Sequence, residues 1–336
     1  MKRYILIVTG VLFLFSTASA QNEFDALRYS QNFLFGTARS MGLGGAIGAV
    51  GGDFTSLSVN PAGIGLYRKS ELTFTPSFNW NNTTSDFFEN KYSETRYNLN
   101  FGNIGFVANN NINQDKGWIS TNFGIGYNQL NNFSAKILMD GKSNSTSLLD
   151  NFVYFANQNP NDLDPYYEQL AWDATLLPFD TIDQVYWNDI QNDGYGQNMN
   201  REVKRKGGIG EYLLSFGANY SHKLYLGASI GIRRVRYEEN VIHTETDVDD
   251  NIEYFRAFDF YEDLFTRGTG YTFKIGAIAR PIPFLRIGAS YHLPTFYYLR
   301  DERVTDFYGY IDSEHGADPE PQSSPFNEFR DRKSVV

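Results

Sequence analysis

The segment Tyr212-Leu213-Leu214-Ser215-Phe216-Gly217-Ala218-Asn219-Tyr220, then Ser221-His222-Lys223, then Leu224-Tyr225-Leu226-Gly227-Ala228-Ser229-Ile230-Gly231-Ile232-Arg233, decides the fold. Apolar side chains hold every second position (Tyr212, Leu214, Phe216, then Leu226, Ala228, Ile230, Ile232), and most positions between them are Gly, Ser or Asn. A period of two belongs to an extended strand, whose side chains alternate between faces. Two such runs joined by three residues make an antiparallel hairpin. The design recurs at residues 72–80, 119–127, 271–279 and 285–291. It is less clean near 96–108, where Asn103 to Gly105 break the parity and predict a bulge or kink. Seven strands result.

A soluble sandwich alternates as well. Here the polar face is small and neutral, with single charges such as Lys274 and Arg280, and the apolar face often starts or ends in Tyr, Trp or Phe. A membrane barrel has that lumen and those interfacial girdles. The links 81–95, 109–117, 140–201, 221–223, 240–268 and 280–284 run long, short, very long, very short, long, short. Long outer loops alternating with short periplasmic turns give that rhythm. The reading is all-β, a transmembrane antiparallel β-barrel with helical outer loops. Aromatic residues at 16% fit it, and a mean hydropathy of −0.42 excludes a helical membrane bundle.

Lys2 and Arg3, the apolar run at 4–15 and Ser16-Thr17-Ala18-Ser19-Ala20 read as a cleavable export signal covering residues 1–20. Lys+Arg 29 against Asp+Glu 39 gives a net charge of -10, so no nucleic-acid partner is expected. With 0 Cys there is no disulfide framework, thiolate zinc site or Cys nucleophile. The Gly-rich stretch 41–53 lacks both the G-x-G-x-x-G and the P-loop register. Asp247-Val248-Asp249-Asp250-Asn251 has Ile252 where a calcium loop needs Gly. No G-x-S-x-G elbow occurs. Neither an enzyme, a cofactor nor a metal is expected. Arg201, Lys204, Arg205 and Lys206 form a basic cluster, read as a solvated rim or a contact for anionic lipid headgroups or a fatty-acid carboxylate.

The largest link, near 141–200, carries helical periodicity. Leu148, Phe152 and Phe155 recur at i, i+4, i+7. A second helix is expected from Asp164 as N-cap and Pro165 at the first position, to about Pro178. Leu148, Phe152, Phe155, Tyr166, Tyr167, Leu170 and Trp172 are the candidates for an apolar ligand groove.

Ala38-Arg39-Ser40-Met41-Gly42-Leu43-Gly44-Gly45-Ala46 and Asp53-Phe54-Thr55-Ser56-Leu57-Ser58-Val59-Asn60-Pro61-Ala62-Gly63-Ile64 resemble the N-terminal plug of the long-chain fatty-acid transporter (FadL/TodX) family of outer-membrane proteins. Residues 270–281 and 285–295 look like a later hairpin of that family. The resemblance implies a monomeric barrel of about fourteen strands in the outer membrane of a Gram-negative cell. It also implies a hatch at 21–70, shaped by Asn60, Pro61, Ala62 and Gly63, within a wall that begins at residue 71. Fatty acids would be caught at the outer loops and leave sideways into lipid through a kinked strand. About seven of the implied strands occur in 71–336, so the chain is expected to be an incomplete barrel. Two alternatives are a barrel component of a protein-secretion system and a hemin-receptor-type protein, the latter with only His243 and His292 at hand. A lipase-type barrel would need a Ser-His pair on one barrel face.

Overall fold

The computed structural model describes residues 23–33, 35–312, 316–323 and 331–335. The expected signal at 1–20 lies outside the described residues. The strands are β1 (Glu71–Phe87), β2 (Asn90–Asn111), β3 (Trp118–Asn132), β4 (Ala135–Lys142), β5 (Phe179–Asp180), β6 (Val185–Tyr186), β7 (Asn198–Tyr220), β8 (Leu224–Thr246), β9 (Phe255–Ile282), β10 (Leu285–His292), β11 (Phe296–Ile311), β12 (Gln322–Ser323) and β13 (Asp331–Val335). All but the small β5–β6 hairpin join one antiparallel sheet, ordered β1-β2-β3-β7-β8-β9-β11-β12, with β4 on β7, β10 on β9 and β13 on β11. β3 and β4 are successive parts of one path along β7, and β10 and β11 of one path along β9. Seven long paths therefore cross the sheet, at the places where the alternation puts strands. Among the described residues the sheet is not closed: β1 pairs with β2 alone.

Two links expected as loops are mostly strand. β1 and β2 continue to a turn at Phe88 and Glu89, and β8 and β9 to a short loop at 247–254. Asn81-Asn82-Thr83-Thr84-Ser85-Asp86 is polar on both faces, so no apolar period betrays its pairing with residues 91–96. Residues 331–335 show no alternation either, yet pair with β11. Backbone pairing on an open edge needs no apolar side chain.

One sheet face is bare. Leu72 (76% exposed), Trp80 (70%), Leu99 (76%), Phe216 (56%) and Tyr298 (66%) stand on it, with the other large apolar residues of the alternating runs. Residues 23–70 cover the opposite, small-residue face. They contain helices Glu23–Ser30 and Ala38–Gly42, a turn of helix Ser56–Val59 and a 3-10 helix Pro61–Leu66. Phe54, Leu57, Ile64 and Tyr67 pack there against Val107 and Leu213. Strand glycines make the close approach possible. A Cβ on Gly227 would lie 2.3 Å from Pro61 O, and one on Gly276 would lie 1.9 Å from Asn60 Oδ1.

The largest link, 143–197, folds as a cap over one end of the sheet. Ser147 and Asp150 form a capping box that starts helix Leu148–Gln158. Leu149, Phe152, Ala156, Leu170, Leu177 and Ile190 pack with Phe255, Phe258 and Phe260 of β9 and Phe307 of β11. The cap thus shares a core with the strand ends beneath it. Its second helix spans Glu168–Asp173, later than expected. Asp164 Oδ1 accepts from Tyr166 N at 2.8 Å, a side-chain turn that competes with helical pairing, and residues 165–167 stay in turns.

Candidate functional site

The N-terminal segment is seated by its own backbone groups and by polar side chains of the wall. Asn60, Pro61, Ala62 and Gly63 are all buried. Asn60 caps the 3-10 helix, its Oδ1 accepting from Ala62 N at 3.1 Å, and Pro61 supplies the fixed φ of the first position. Asn60 Nδ2 donates to Gly48 O at 2.7 Å and to Ala277 O of β9 at 3.4 Å. Val59 O accepts from Ser290 Oγ at 2.9 Å and from His292 Nε2 at 2.8 Å, which makes Nε2 the protonated ring nitrogen. Asn122 Nδ2 donates to Ile64 O at 2.7 Å.

A buried charge cluster lies beneath this seat. Lys274 Nζ donates to both carboxylate oxygens of Glu211 at 2.7 Å, and Arg233 Nε donates to Oε1 at 3.2 Å. Ser58 Oγ ties the N-terminal segment to it, donating to Glu211 Oε2 at 2.8 Å and accepting from Asn128 Nδ2 at 2.8 Å. Glu211 is 0% exposed and Lys274 1%. Two cations and one carboxylate leave one net positive charge against the segment.

The kink falls one residue before the parity break expected at Asn103 to Gly105. Thr75 pairs with Asn103 and Pro76 with Phe101, so Gly102 is the extra residue of a bulge. Pro76, which has no N–H, sits at that bulge on the edge strand. β2 pairs with β3 only through residues 103–111. Toward its start β2 keeps only β1, while β3 and β4 follow β7. The strands separate there at a cleft of about 850 Å³ that continues across β7 and β8, with Leu99, Asn100 and Phe101 on one lip and Ile125, Tyr127 and Gln129 on the other. Above it side chains rejoin the wall: Asn98 Nδ2 donates to Ser134 Oγ at 2.6 Å, and Tyr92 Oη to Asp140 Oδ2 at 2.8 Å.

The seven groove candidates do not form one groove. Phe152, Phe155 and Tyr167 line a cap cleft of about 490 Å³ with Leu163, Asp164 and Glu168. Leu170 is sealed in the cap core and Leu148 packs on that core. Tyr166 is half-buried, its carbonyl accepting from Thr305 Oγ1 at 2.8 Å, and Trp172 is exposed away from the cleft. The late helix start shifts the phase of residues 166–172, which separates the four. Burial pushes the Glu168 carboxyl above its ordinary range. Burial, with Asp193 and Glu253 nearby, raises Asp189 to about 6.

The remaining sequence candidates have structural partners. Lys204 pairs with Glu202, Arg205 with Glu239 and Lys206 with Glu238, so most of the basic cluster is neutralised in place. Asp247 Oδ2 accepts from Asn251 N and Ile252 N at 2.8 and 2.7 Å, closing a turn, and Asp249 pairs with Lys142. His243 Nε2 lies 2.9 Å from Glu245 Oε1. Glu245, 0% exposed, also accepts from Ser147 Oγ and Leu148 N at 2.7 Å and from Gln197 Nε2 at 2.9 Å, anchoring the cap helix to β8.

Comparison with protein-family models, curated proteins and solved structures finds no match. The sequence reading missed Glu211, Asn100 and Gln129. For Glu211 and Gln129 the available signal was a charged or long amide side chain inside an alternating run, where Gly, Ser or Asn otherwise stand; Asn100 carried none.

Proposed function

We propose that the chain forms wall and hatch of an outer-membrane β-barrel that passes hydrophobic compounds, long-chain fatty acids foremost, without energy coupling. The observation that carries this reading is the bare apolar face opposite a face filled by residues 23–70. From Leu72 to Trp80 that face runs about 27 Å at ~3.4 Å per residue. A strand tilt of ~40° brings it to ~20 Å, close to the ~25 Å apolar band of outer-membrane barrels. The resemblance of residues 38–64 to the fatty-acid transporter plug supports the same reading. An aqueous pore does not help a solute that gains ~0.8 kcal/mol per CH₂ on leaving water. A cap cleft with aromatic walls, then a slot between β2 and β3 that opens toward lipid, does. The hatch blocks the straight path, so the sideways exit is the productive one.

The test is uptake of labelled oleate by Gram-negative cells expressing the chain, with protein recovered from the outer-membrane fraction. Asn98→Cys and Ser134→Cys, joined by a short bifunctional thiol reagent, should staple the strands above the slot and slow uptake; the natural chain has 0 Cys, so the label is clean. Uptake equal to that of cells lacking the chain would reject passage.

A further inference from the structure

The slot between β2 and β3 holds polar atoms without partners amid apolar walls. Gln129 is 7% exposed, and its Nε2 donates to Asn131 O at 3.4 Å, which fixes the amide and leaves Oε1 unpaired. Across the slot Asn100 Nδ2 is buried and unpaired. Along the same separation Asn131 donates to Gln31 O at 3.4 Å and Asn98 to Ser134 Oγ at 2.6 Å, and in each the amide oxygen stays unpaired. Arg96 Nε, four residues before Asn100 on β2, is unpaired too. A buried polar atom without a partner costs ~1–3 kcal/mol, and native proteins keep few of them. Of these residues Asn100 and Gln129 line the cleft, and their atoms mark the place where an occupant supplies the missing bonds.

Their chemistry limits that occupant. At the cleft itself Gln129 offers an acceptor and Asn100 a donor, so the occupant must both donate and accept. A carboxylate could accept from Asn100 Nδ2 but has no proton for Gln129 Oε1, and it would set its charge against that oxygen in apolar surroundings. A hydroxyl or amide head donates to Gln129 Oε1 and accepts from Asn100 Nδ2. The cleft, at about 850 Å³ and walled by Leu99, Phe101, Ile125 and Tyr127, has room for an acyl chain as well.

We propose that the slot binds the head of an uncharged amphiphile with hydroxyl donors, of the monoacylglycerol class, its chain lying between the apolar lips. This rests on the slot being the exit named above and changes the preferred cargo from the free carboxylate to its neutral ester.

The test compares binding of monooleoylglycerol and oleate to the full chain in lipid nanodiscs. The neutral ester should bind about tenfold more tightly, the worth of one well-made hydrogen bond. Asn100→Leu with Gln129→Leu should erase that preference and leave thermal stability unchanged or higher, because the unpaired atoms are gone. Gln129→Met, closer in shape, gives the same readout if the double variant fails to fold. Equal or tighter binding of oleate, or a preference that survives these variants, would overturn the proposal. Oleate uptake by cells separates the two readings. Uptake without a preference for the ester rejects only the head site, whereas preferential binding without uptake rejects only passage.

Discussion

The buried cluster beneath the N-terminal segment predicts unequal damage where bond counting suggests equal damage, two hydrogen bonds lost in either variant. Lys274→Met removes two hydrogen bonds of 2.7 Å, but leaves Glu211 paired with Arg233 at 3.2 Å and with Ser58 at 2.8 Å. One carboxylate and one cation remain, and the desolvation cost of the ammonium disappears, so the expected loss is about 1–2 kcal/mol. Glu211→Gln keeps an acceptor for Ser58 yet strands Lys274 and Arg233 together with no carboxylate. Leaving uncompensated buried charge costs about 3–5 kcal/mol. Hydrogen exchange of the Ser56–Val59 turn, in protein folded into micelles, reads local opening of the N-terminal segment. Exchange should rise about tenfold in Lys274→Met and more than a hundredfold in Glu211→Gln, at ~1.4 kcal/mol per decade. Urea unfolding followed by tryptophan fluorescence should rank the variants the same way. Equal effects, or a more damaging Lys274→Met, would refute the reasoning, since the cluster would then be held by bond number and not by charge balance.

The cap should loosen as pH rises. Asp189 is raised from 3.8 to about 6 on folding, so its contribution is complete below 3.8 and lost as pH climbs through 6. Proteolysis of residues 143–197 should speed up across that window, and Asp189→Asn should flatten the profile. Glu245→Ala removes the acceptor for Ser147, Leu148 and Gln197 and should cost the cap about 3 kcal/mol or more, seen as early cleavage near residue 148 with the sheet intact by circular dichroism. Gly276→Val sets a Cβ where Asn60 Oδ1 stands, so it should unseat residues 23–70 at about 1–3 kcal/mol and speed proteolysis of that segment. Unchanged proteolysis would mean that the contact of Asn60 with Gly276 does not hold the segment in place.

Much of the wall was legible from the residues alone. Period-two runs such as 212–220 and 224–233 show as strands because alternation follows from the backbone of a single strand, whatever pairs beside it. The parity break at Asn103 marked the kink to within one residue for the same reason, and Ser147 with Asp150 shows why helix Leu148–Gln158 starts where it does. The polar strand ends at 81–95 stayed hidden, because pairing above the apolar band rests on backbone hydrogen bonds that any side chain permits. The second cap helix was misplaced because Asp164 could cap a helix or close a turn, and only the packing of Leu170 and Ala171 chose. The site belongs to tertiary structure. Glu211, Arg233 and Lys274 come from three strands, and Asn100 and Gln129 from opposite lips of a separation that register alone creates. A residue's own run sets which face it takes; its partners across the sheet are set by pairings tens of residues away.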